Sequence, residues 1–131
     1  MATDLLDRCD AIEECYEFML GYAGKGVPGD QGSDLRRQLG RASAALEGIG
    51  AACLVALGGA DVESLERSRN FLSVLERDAS SSLAAIQMVL AQPSISSQLI
   101  DNLNASIHLR ALLTDLFLIS EVVKRKHACI D

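Results

Sequence analysis

Apolar residues recur at alternating steps of four and three along most of this chain, and that spacing leaves few folds open. The first segment runs Leu5, Cys9, Ile12, Tyr16, Met19 and Ala23. The second runs Leu35, Leu39, Ala42, Leu46, Ile49, Cys53 and Ala56, and the third Leu65, Ser68, Leu72, Leu75, Ala79, Ser82, Ile86 and Val89. Steps of three and four gather side chains on one face of an α-helix, whereas a strand needs period two. No stretch alternates in the strand manner, so the sequence predicts an all-α protein.

Punctuation residues set the expected boundaries. Thr3, Ser33 and Asp61 precede the first three segments and suit N-caps, with Asp4 and Asp7 favouring the positive end of the first helix. Gly21, Gly24 and Gly26 end the first helix, Gly58 and Gly59 the second, and Pro93 stops the third. The fourth begins among Ser94, Ser96 and Ser97. The expected helices are about 4–22, 34–57, 62–92 and 97–126, with a flexible loop over 23–33. Two of the three links are very short, which forces antiparallel neighbours. The expectation is an up-down-up-down antiparallel four-helix bundle with a crossing angle of roughly 20°. A chain of 131 residues makes it one domain, 1–131.

The fourth segment stands apart because it is apolar on two faces. Leu109, Leu112, Leu116, Ile119 and Val123 form one stripe, and Leu99, Leu103, Ile107, Leu118 and Val122 form another. A helix apolar on two faces is buried on two faces. The second stripe is therefore the expected self-association surface of a homodimer. The competing explanation encloses that helix wholly within its own monomer.

Charge and composition exclude several classes. Twelve basic and 18 acidic residues give a net charge of −6, with no tryptophan and five Phe and Tyr together. Such a chain lacks the electrostatic footprint and stacking platforms of a nucleic-acid binder. Residues 124–127, KRKH, complement the negative end of the last helix. Cys9, Cys15, Cys53 and Cys129 form no CxxC pair and read as free thiols in a reducing, cytoplasmic setting, with Cys15 off the main apolar stripe. The opening residues carry no signal-peptide pattern. Residues 42–60 approach the length of a membrane span, but Ala and Gly dominate them, so no membrane role is expected.

Candidate chemistry is sparse. The loop GYAGKGVPGDQGSD at 21–34 lacks the GxxxxGK[ST] spacing and the preceding strand of a phosphate loop. His108 is the one histidine whose setting permits a phosphoacceptor role. By helical angle it shares a polar strip with Asp101, Asn104 and Asp115. Histidine phosphotransfer domains are also four-helix bundles of this size, but their pattern places Lys three residues after the histidine, where this chain has Ala111. No Glu-x-x-His occurs, Asp101, His108 and Asp115 are spaced too far apart to share one ion, and no cofactor or metal is expected. Asp7, Asp10, Glu13, Glu14 and Glu17 form an acidic face of the first helix that could meet a basic partner. The reading that follows is a small interaction or regulatory protein without catalytic activity, self-associating through its last helix. The alternatives are a bundle that binds a small apolar ligand beside the small residues of the second helix, and phosphotransfer through His108.

Overall fold

The computed structural model describes residues 2–29, 34–58 and 62–130. Among them are six helices and no strand: α1 (Ala2–Ala23), α2 (Asp34–Leu46), α3 (Ile49–Leu57), α4 (Val62–Leu90), α5 (Ser97–Asn104) and α6 (Ile107–Ile130). The all-α class holds, and the expected count of four helices is corrected to six. The expected second and fourth helices are each broken once.

The first break follows Leu46. Gly48 adopts φ +75°, a left-handed conformation that glycine enters without a Cβ penalty, and α3 leaves α2 at a bend of 54°. Arg8 of α1 closes the freed end of α2: its Nη1 donates to the carbonyls of Ala45, at 2.9 Å, and Glu47. Its Nε also pairs with Asp4 one turn earlier, at 3.2 Å. A cation at the carbonyl end of a helix satisfies acceptors that have no partner within it.

The second break has neither glycine nor proline. Ser106 N–H donates to Leu103 O at 3.0 Å, and Arg110 N–H donates to Ser106 O at 3.2 Å, so the ladder restarts at Ser106. The Ser96 hydroxyl accepts from Leu99 N–H at 3.1 Å and caps α5, within the serine cluster where a start was expected. Thr3, expected as an N-cap, lies inside α1. The expected caps Ser33 and Asp61 lie outside the described residues.

The main stripes of all four expected segments form the core. Leu5, Leu39, Leu75, Ile86, Leu112 and Val123 are all enclosed. α1 packs chiefly on α2 and α5, and α4 packs on α6. Cys15 corrects an expectation: it is buried, because it faces α2 near Arg41, and α2 widens the covered face of α1. Burial pushes the Cys15 and Cys53 thiols up to about 12 and raises Cys9.

The loop after α1 is tied down where it is described. The Ser97 hydroxyl donates to Tyr22 O at 2.8 Å and accepts from Val27 N–H at 3.0 Å. Ser97 N–H returns a bond to Val27 O at 3.0 Å, and the Tyr22 hydroxyl donates to Ile95 O at 2.6 Å. This part of the expected flexible loop is thus a docked strap; 30–33 lie outside the described residues. No single described helix is long and apolar enough to cross a membrane, and α2 with α3 reach that length only as a bent pair.

Candidate functional site

Exposed large apolar side chains are spread over several helices, among them Leu20, Val55, Met88 and Phe117; at the outer surface where α6 meets the start of α4, two of them adjoin a groove. Leu118 and Val122 are four residues apart on α6, hence on one face, and are 55% and 48% exposed. Across from them α4 supplies Phe71, half-buried. Between the two helices and the end of α3 runs an open groove of about 360 Å³, walled by Leu57, Phe71, Leu118, Ile119 and Val122, with Arg67 at its edge. Charges of both signs flank it. Glu63 lies 4.0 Å from Arg67 on α4, and Glu121 lies 3.1 Å from Arg125 on α6.

The five residues expected to form a second stripe divide. Leu118 and Val122 sit on the groove, and Ile107, 75% exposed, shares their face of α6 about 16 Å upstream. Leu103 and Leu99 are corrected. Leu103 is 5% exposed and Leu99 packs against the core, because the break at Ser106 resets the helical phase and turns α5 toward α1. Phe71 and Leu57 were not anticipated at this surface. Phe71 lies beside its helix's main stripe, one residue before Leu72, and that was its only trace in the sequence.

The polar strip around His108 also divides. His108 and Asp101 are exposed, while Asn104 and Asp115 are buried. Asn104 precedes the break, and α4 covers Asp115. Arg110 lines a different groove, of about 290 Å³, with Tyr16, Phe117, Glu13 and Glu17. The acidic face of α1 is otherwise solvent-facing, with Glu14 paired to Arg41 at 3.1 Å. Burial raises the Glu13 carboxyl, with Asp10 adding to the effect.

Asp115 is the most perturbed acid of the described residues. It is 8% exposed, hydrogen-bonded to the side chain of Asp78 on α4, and its Oδ2 has no partner. Its carboxyl is raised to about 7, chiefly by burial and then by hydrogen bonding to Asp78 and the like charge of Asp78. Among the described residues no three His, Cys, Asp or Glu side chains converge on a common point. His127 and Cys129 have side chains outside those described.

The chain matches no known family model, and no curated protein or solved structure is significantly similar to it.

Proposed function

We propose that this is a non-catalytic interaction module that pairs with a second copy of itself across the outer face of α6 and α4, in a reducing cytoplasmic setting. The supporting observation is the continuity of Leu118 and Val122 with the groove wall formed by Phe71 and Leu57. Contiguous exposed apolar surface next to a groove marks an interaction site rather than ordinary surface. A ridge adjoining a groove is self-complementary under two-fold symmetry, since each copy's ridge can fill the other's groove. The flanking Glu63–Arg67 and Glu121–Arg125 pairs offer both signs of charge to the same partner.

Replacing Leu118 with Glu tests this directly. The side chain is more than half exposed, so the monomer fold survives the change. Light scattering on the wild type is expected to give a dimer mass, and on Leu118→Glu a monomer mass with an unchanged helical signal. A wild type that runs as a monomer at high micromolar concentration, or a variant of unchanged size, overturns the proposal.

The groove's volume also suits a second reading, the apolar tail of a small ligand with Arg67 at its polar end. A rise in melting temperature with medium-chain carboxylates, without a change of mass, would favour it.

A further inference from the structure

We propose that Asp115 and Asp78 form a proton-operated latch across the seam between α4 and α6. The Asp115 carboxylic acid donates to the Asp78 carboxylate and holds the seam closed; loss of that proton sets two carboxylates against each other and loosens it. The latch is a property of the single chain and stands whether or not the outer face pairs.

The geometry requires a proton. Asp115 is more than nine-tenths buried, and its bonded partner is another carboxyl group. Two carboxylates cannot share a hydrogen bond without a proton between them. The seam provides little else to stabilise charge. Ser82 lies one turn beyond Asp78 on α4, is buried, and its hydroxyl has no partner. The second oxygen of Asp115 is likewise unpartnered.

Among the described residues no cation offsets the pair. α3 carries no charged residue between Ile49 and Leu57. On α4, Arg77 is exposed and Glu76 lies against Gly50 of α3. On α2, Arg36 bonds the Leu90 and Gln92 carbonyls, Arg37 pairs with Asp34, and Arg41 pairs with Glu14. On α1, Glu13 and Glu17 line the separate groove with Arg110, and Asp101 of α5 is exposed. Of all these groups Asp78 alone acts on Asp115.

The direction with pH follows from linkage. The folded Asp115 holds its proton up to about 7, whereas the ordinary aspartate value is 3.8. Between these values the folded state binds more protons than the unfolded state, so the latch's contribution is fully present below about pH 4 and is lost as pH rises through 7. Most buried acids that accept hydrogen bonds behave in the opposite sense.

The test is a carbon-detected NMR titration of the side-chain carboxyls of the intact wild-type protein. It is paired with melting curves at pH 5 and pH 8.5 for wild type and Asp115→Asn, each at two concentrations tenfold apart. Asp115 is expected to titrate near pH 7. The wild-type melting temperature is expected to fall by about 5 °C more than that of the variant between the two pH values, and equally at both concentrations. A concentration-dependent difference would assign the effect to pairing instead and overturn the latch. So would an Asp115 midpoint near 4, or parallel melting trends in the two proteins. If Asp115→Asn does not fold, Asp78→Asn provides the same comparison, and the wild-type titration decides the matter without any variant.

Discussion

Ser97 and Ser82 are both buried serines, and the fold treats them oppositely. Ser97 begins α5, and its hydroxyl joins the Tyr22 carbonyl to the Val27 amide. Ser82 sits within α4 on the side facing α6, and its hydroxyl has no partner. The difference extends to their surroundings. At the Ser97 end of α1, Tyr22 bonds Ile95 and Arg36 closes the end of α4, and at the other end of α1 Arg8 closes the end of α2. On the Ser82 side, Asp115 keeps an unpartnered oxygen; Asn104, at the end of α5, is also buried with neither side-chain atom bonded. A buried polar group with its partners in place stabilises, whereas one without them costs free energy. The strap at Ser97 thus has its polar partners in place, whereas the α4–α6 seam holds polar groups without them; Gln38 Oε1 on α2 is likewise buried without a partner.

Three substitutions sharpen this contrast. Ser97→Ala leaves the Val27 amide without its acceptor, while the Tyr22 carbonyl keeps its bond from Lys25 N–H; it should cost about 1–2 kcal/mol in denaturant unfolding, with the loop amides after α1 losing exchange protection. Arg8→Met keeps the aliphatic stem but leaves the Ala45 and Glu47 carbonyls open. It should cost about 1–2 kcal/mol and increase hydrogen exchange at the α2–α3 bend. Ser82→Ala removes an unpartnered hydroxyl and should leave stability unchanged or raise it by about 1 kcal/mol. A clear loss for Ser82→Ala would show that its hydroxyl is bonded in solution, and the contrast between the two regions would fail. A neutral result for Ser97→Ala would break it from the other side.

The helical class and the core were legible because they depend on local periodicity. Every member of the second stripe from Leu35 to Ala56 is buried, although the helix it was assigned to is broken. Where helices end was less legible. Gly40 and Gly48 look alike in sequence, yet Gly40 lies in an uninterrupted helix with open space around it and Gly48 ends one. What separates them is Arg8, 37 positions from Ala45, which compensates the open carbonyls at one glycine and not at the other. The break between α5 and α6 did leave a signal. The two apolar stripes of the expected fourth helix record a change of phase at Asn104–Ser106 rather than a second buried face. Leu103 belongs to the phase before the break, while Leu118 and Val122 are exposed on the phase after it. Asp115 was placed on a solvated strip because its own helix is polar there; only the arrival of Asp78 on α4 makes it a buried acid. That relation is tertiary and has no local trace.

The bonds between the strap after α1 and the start of α5 also constrain the order in which the protein can be made. Tyr22 and Ile95 are 73 positions apart, and Val27 and Ser97 are 70. α1 packs on α5 as well as on α2, so its buried face remains incomplete until synthesis has passed Ser97. A nascent chain ending before that point can pair α1 with α2 but cannot close the strap. Closing so long a loop is entropically costly and comes late, after the local helices exist. During synthesis, Tyr22 and the inner side of α1 stay available to other proteins while the 75 residues up to Ser97 are made.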